Sequence, residues 1–170
     1  MKQLYLAAAL TLVLSGCQST SSQSINSADA TPTSLTVVID NVASEQGQLI
    51  VTLHDNSESF HSDDNINDND SRYFRSQVVT PSMPVTTVTF EGIPSGRYAI
   101  NVVHDEDKDG GLNRMVFPFL GMPSEPYALS NNIYDTFSKG DFEDALITVQ
   151  TPGSEVHLTL ATHLNKISGL

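Results

Sequence analysis

From Leu35 onward the apolar residues recur with a period of two, and this pattern limits the fold more than any other feature of the chain. Leu35, Val37 and Ile39 alternate with Thr36, Val38 and Asp40; Leu49, Val51 and Leu53 follow Gly47; Val88 and Phe90, then Tyr98, Ile100 and Val102, then Val156, Leu158 and Leu160 repeat the alternation. Each run is short, rich in β-branched residues and bounded by Gly, Pro, Asn, Asp or Ser, which reads as strand after strand. Strands are expected near 34–41, 47–54, 72–79, 85–91, 96–104, 145–150 and 154–161. No stretch keeps a helical stripe for three turns, and the single short helical candidate lies around Phe142 to Leu146. Seven short strands of this kind predict an all-β domain, a single antiparallel β-sandwich over 35–161 followed by a tail at 162–170. Within it Tyr98, Ile100 and Val102 should face the core, with Ala99, Asn101 and Val103 facing away or packing under a loop.

Two connections are long, residues 55–71 and 105–144, and loops of that length in a compact domain are functional or disordered. The first is polar and acidic around a lone aromatic, Phe60. The second mixes acids, glycines and prolines with Phe117, Phe119, Tyr127, Tyr134 and Phe137, so it can bury its own side chains.

Residues 1–16 place Lys2 before an apolar run from Leu4 to Leu14 and end in Leu14-Ser15-Gly16 ahead of Cys17, the sole cysteine. Eleven residues cover only about half of a ~30 Å hydrocarbon core, so a membrane span is not expected. The layout resembles a bacterial lipoprotein signal, which implies cleavage and a diacylglycerol on Cys17. Gln18, where an Asp would imply inner-membrane retention, points by that resemblance to the outer membrane. Residues 17–34 then form a lipidated cysteine and a Ser/Thr-rich tether of roughly 20–24 Å end to end. With its cysteine lipidated, the chain has no thiol left for a disulfide.

The formal charge is −12, and loss of Lys2 with the signal makes it −13. Such a field repels nucleic acid and anionic headgroups, so the acyl chains alone would hold the protein to the membrane. It favours small cations or basic partners, although acidity also serves solubility without any partner.

The stretch His104-Asp105-Glu106-Asp107-Lys108-Asp109-Gly110-Gly111-Leu112-Asn113 sets carboxylates at alternate positions before a glycine turn. Asp105, Asp107, Asp109 and Gly110 fit positions 1, 3, 5 and 6 of an EF-hand loop, with a Gly111 carbonyl and Asn113 as further oxygens, so calcium is the cofactor this spacing suggests. Position twelve is Val116, so the closing Glu is absent and Glu125, Asp135 or water would have to complete the shell. The competing reading is an Asp/Gly turn whose acids cap its own backbone. His54 and His104 end strand-like runs, and ordinary hydrogen bonding is the simpler account of both than a zinc site. No nucleophile elbow, His-Glu-x-x-His or phosphate-cradling loop is present, so catalysis by Ser130, His104 and an acid is the minority reading.

Read in order, Gly47-x-Leu49-x-Val51, Phe90-x-Gly92-Ile93-Pro94-x-Gly96-x-Tyr98-Ala99-Ile100, the 104–113 loop, Leu120-Gly121-Met122-Pro123-x-Glu125-x-Tyr127-Ala128-Leu129-Ser130-Asn131-Asn132 and Phe142-Glu143-Asp144-Ala145 resemble the bacterial family called domain of unknown function 2141. The likeness covers nearly all of 35–161. Pro94-x-Gly96-x-Tyr98 also resembles a turn of transthyretin-like domains, which implies a prealbumin-like sandwich. The chain departs from the family pattern in its acidic stretch 56–71 and at Lys108, Asp109, Gly111 and Asn113. Ser130, Asn131 and Asn132 are a further candidate site, with loop hydrogen bonding favoured over ligand contact.

The sequence therefore predicts a lipid-anchored, non-enzymatic module of the cell envelope whose acidic loop binds calcium. A hydrolase or enzyme accessory using carboxylates and His104 is the alternative, and a structural spacer is a third class. Its partner is the membrane, reached through Cys17, with no nucleic acid.

Overall fold

The computed structural model describes residues 32–62, 66–67, 72–117 and 120–169. The expected signal segment, Cys17 and most of the expected tether lie outside them. Among the described residues there are eight strands: β1 (Pro32–Asp40), β2 (Gln48–His54), β3 (Arg75–Val79), β4 (Val85–Pro94), β5 (Gly96–Asp105), β6 (Tyr127–Leu129), β7 (Ile147–Val149) and β8 (Ser154–Thr159). They form two sheets. One has the order β4-β1-β8; the other runs β3-β2-β5-β6, with β7 pairing the first residues of β5.

The period of two explains why the sheets stack. Leu35, Val37 and Ile39 of β1 and Val88 and Phe90 of β4 meet Leu49, Val51 and Leu53 of β2 and Tyr98, Ile100 and Val102 of β5 in one buried cluster. Successive side chains on a strand point to opposite faces, so each alternating run supplies one wall of this core. The Pro94–Gly96 corner carries the chain from the first sheet into the second. Tyr98 closes it: the ring is buried in the core while its hydroxyl donates to the Pro94 carbonyl at 2.9 Å.

The five-stranded sheet is covered on its other face as well. Ala99, Asn101 and Val103 of β5 are buried, as expected of residues packed under a loop. Ala99 joins Phe60, Tyr127, Leu129 and Ala145 in a second cluster, with Leu112, Ile133 and Phe142 against it. Phe60 comes from helix α1 (Ser57–His61), capped by the Asn56 side chain, which accepts the Ser59 N–H. Helix α2 (Phe142–Ala145) falls where the sequence suggested one. The two long connections thus meet over this face and roof it.

Three expectations are corrected. The domain is not wholly antiparallel, because β1 pairs β8 in parallel from Leu35↔Ser154 to Asp40↔Thr159; alternation fixes which face a residue takes and is silent on strand direction. The described residues form eight strands, since β6 lies inside the connection expected as loop. The segment expected as a tail holds helix α3 (His163–Ser168), with Thr162 capping its start and Gly169, at φ 69°, ending it. The core test is Ile100→Ala: the side chain is fully buried, and its truncation should cost about 2–5 kcal/mol in a denaturant melt. A loss below about 0.5 kcal/mol, the range of surface substitutions, would contradict the core assignment.

Candidate functional site

The acidic loop begins where β5 ends. Asp105 pairs with Gln48 across the β2–β5 ladder, and its carboxylate is fully buried. Its Oδ2 accepts from Gln48 Nε2 at 2.8 Å and from the Gly110 N–H at 2.9 Å, and its Oδ1 from the Asp109 N–H at 3.2 Å. The chain therefore curls back on the residue it has just left. Lys108 sits at φ 63° and Gly110 at φ 92°, left-handed positions that make the curl possible. Gly47 is required for a neighbouring reason. It holds φ 79° against this loop, and a Cβ there would stand 2.2 Å from the Asp105 carbonyl oxygen.

Glu125 reaches the loop from the approach to β6. Its Oε1 accepts the Glu106 N–H at 2.8 Å and its Oε2 the Asn113 N–H at 2.9 Å. Asp107 accepts the Asp109 N–H through Oδ1 at 3.2 Å and Asn113 Nδ2 through Oδ2 at 2.9 Å. One oxygen each from Asp105, Asp107 and Glu125 lies within 4.8 Å of the others. Of the ligand set expected from the sequence, Asp105 and Asp107 are brought together, and Glu125, one of the residues expected to complete it, lies beside them. Asp109 is turned away, its Oδ1 accepting the Gly111 N–H at 3.0 Å. Asn113 approaches through its amide nitrogen. Asp135 belongs to another turn, where it accepts the N–H groups of Phe137 and Ser138, and these bonds hold its carboxyl below the usual range.

Burial pushes the Glu125 carboxyl above its ordinary value, against the two backbone N–H groups that favour its charge, and Asp105 and Asp107 push it the same way. Two effects therefore compete in one place. The backbone donors stabilise the charges, and their mutual proximity opposes them. Each carboxylate has roughly four lone-pair directions, only part of them used by the bonds above, so the cluster has oxygen to offer a hard cation.

The remaining candidates occupy structural positions. His104 is buried and its Nε2 donates to the Gln46 carbonyl at 2.8 Å. Ser130 Oγ accepts the Ile100 N–H at 2.9 Å and donates to the Ala145 carbonyl. Asn131 Nδ2 donates to the carbonyls of Asp144 and Leu146, and Asn132 Oδ1 accepts the Thr159 N–H. These three residues tie β5, α2 and β8 to one turn, a role open to short polar side chains in left-handed backbone, which Asn131 and Asn132 both adopt.

His54 makes the hydrogen bonds expected of a strand-end histidine, but its complete burial does not show in the sequence. It lies fully buried between Ser59 Oγ, 2.6 Å from Nδ1, and Thr52 Oγ1, 3.0 Å from Nε2, with Phe60 packed edge-on. Burial, reinforced by Lys139 and opposed by Asp55, lowers its pKa from 6.5 to about 3. The unfolded chain binds this proton below pH 6.5 and the folded chain does not, so the stability is complete above pH 6.5 and drains away as pH falls toward 3. The loss is about 1.4 kcal/mol per pH unit within that window. Melts of the wild-type chain and His54→Gln from pH 7 to 4 should show the steeper decline in the wild type; parallel profiles would show that His54 titrates normally.

No curated protein and no solved structure matches the chain. The pattern of one family does match, over residues 37–157, and its description reads "Uncharacterized protein conserved in bacteria (DUF2141)". That span runs from β1 through the acidic loop and Glu125 to β8, so the chain, frame and candidate site together, belongs to the DUF2141 family of bacterial proteins.

Proposed function

We propose that this protein is a non-catalytic, lipid-tethered module of the cell envelope in which a calcium ion, held by Asp105, Asp107 and Glu125, stiffens the loop roofing the five-stranded sheet. The observation that carries the reading is the approach of those three carboxylates to within 4.8 Å, two of them buried. Like charges so placed disfavour the folded loop, and a cation offsets them. Carbonyls and water would fill the rest of a shell of about six to eight oxygens. The non-catalytic reading is supported by His104 and Ser130, whose polar atoms are engaged with backbone groups inside the fold. The lipid tether rests on the Leu14-Ser15-Gly16-Cys17 sequence and the outer-membrane location on Gln18 after it. We further read the frame as a relative of prealbumin-like sandwiches on the strength of the Pro94–Gly96 corner, with the parallel β1–β8 pair as its departure; a crystal structure whose strand order cannot be superposed on that fold would remove this.

Extracellular calcium modules bind with Kd near 10⁻⁴–10⁻³ M, so ~1 mM calcium should add roughly 0.4–1.4 kcal/mol. Affinity should rise with pH through the raised Glu125 pKa, because the ion binds the charged form. The test is a melt in calcium and in chelator. Asp107→Asn and Glu125→Gln should each abolish most of the gain, and Asp109→Asn, whose carboxylate serves its own turn, should keep it. A curve indifferent to calcium, or an equal loss in all three variants, would refute the site. For the anchor, Cys17→Ser should move the protein from the detergent-rich to the aqueous phase on partitioning; unchanged partitioning would refute lipidation.

A further inference from the structure

Beside the acidic loop, over the outer face of β5 and β6, lies a cleft of about 540 Å³, within the range of small-molecule sites. Its apolar lining includes Leu112, Met122, Pro123, Tyr127 and Leu129, together with Phe137, which is 82 % exposed. Asn101, buried on β5, contributes a polar group to the lining.

The charges are the informative part. The chain has 8 Lys and Arg against 20 Asp and Glu, so a cleft lined at random would carry more acids than bases. Among the described residues its lining has Arg114, Lys139 and His61, from three separate stretches of chain, and one acid, Asp109. That acid accepts the Gly111 N–H, which satisfies part of its charge. Arg114 is braced by donating Nη1 to the Gly121 carbonyl at 3.0 Å, and Lys139 Nζ is held 4.7 Å from the centre of the Phe60 ring. Each cation thus has a partner that helps to place it, Arg114 at the exposed edge and Lys139 half-buried.

We propose that this cleft binds a small organic carboxylate carrying an apolar or aromatic body. The carboxylate would meet Arg114 and Lys139, since a planar acid suits the guanidinium fork, and the body would lie on Leu112, Tyr127 and Leu129. A single negative charge fits better than a phosphate dianion, because the protein's own charge of −12 opposes each added negative charge. The proposal is independent of calcium.

Benzoate serves as the probe, with phenyl phosphate, benzyl alcohol and benzylamine as controls, titrated into the full chain carrying Cys17→Ser and followed by amide NMR in chelator. Benzoate should shift the Leu112, Tyr127 and Leu129 amides and the Asn101 side-chain amide saturably, more tightly than any control. Arg114→Gln with Lys139→Gln should weaken binding about tenfold or more. Arg114→Lys with Lys139→Arg, which keep both charges, should restore most of it and show that the loss is not misfolding. Absence of saturable shifts, benzyl alcohol or phenyl phosphate binding as tightly as benzoate, or an unaltered affinity in the double Gln variant would each overturn the assignment.

Discussion

Asp105 ends the central strand with its carboxylate buried, and Glu125 faces it from the far side of the loop. Between them they accept the N–H groups of Glu106, Asp109, Gly110 and Asn113. A buried carboxylate is costly unless it is hydrogen-bonded, and a loop backbone under a roof has donors that need acceptors. Each requirement meets the other here. The result fixes both ends of the 106–125 segment, so that Glu125 leads directly into β6 and Tyr127 and Leu129 arrive on the outer face of the sheet. Without that anchor the cleft would lose one wall.

The opposite wall depends on a different balance. α1 brings Phe60 down onto Ala99, and His54, uncharged, fills the space between Thr52 and Ser59. Lys139 lies over Phe60 and also helps keep His54 neutral. One cation therefore belongs both to the packing of the roof and to the lining of the cleft. The inner core, by contrast, is built mainly from aliphatic and aromatic side chains and has the character of a scaffold. Among the described residues, the carboxylate cluster and the cleft both lie on the side of the five-stranded sheet away from that core.

Much of the frame could be read in the sequence because half-buried strands alternate visibly, and Leu35–Ile39, Leu49–Leu53 and Tyr98–Val102 do so without interruption. Tyr127-Ala128-Leu129 reads as loop in the sequence because its residues are buried on both sides and show no alternation. α3 had a legible signal, Thr162 at its start and Gly169 just past its end, across a segment too short for a helical stripe. The acidic spacing indicated Asp105 and Asp107, and Glu125 was among the residues named to complete them. That Asp109 would turn inward on Gly111 depends on left-handed Lys108, which residue type does not announce. The cleft was not legible at all, since His61, Asn101, Arg114 and Lys139 are brought together only by the fold.

The central claim is that the buried carboxylates of Asp105 and Glu125 hold the loop by accepting its backbone N–H groups. Amide hydrogen exchange measures this directly. In the wild-type chain the amides of Glu106, Gly110 and Asn113 should be protected, and Glu125→Gln should release Glu106 and Asn113 while Ile100 and Val102 in β5 keep their protection. If those loop amides exchange in the wild type as fast as an unstructured chain, or remain equally protected when Glu125 is replaced, the loop is held by something else and the account fails.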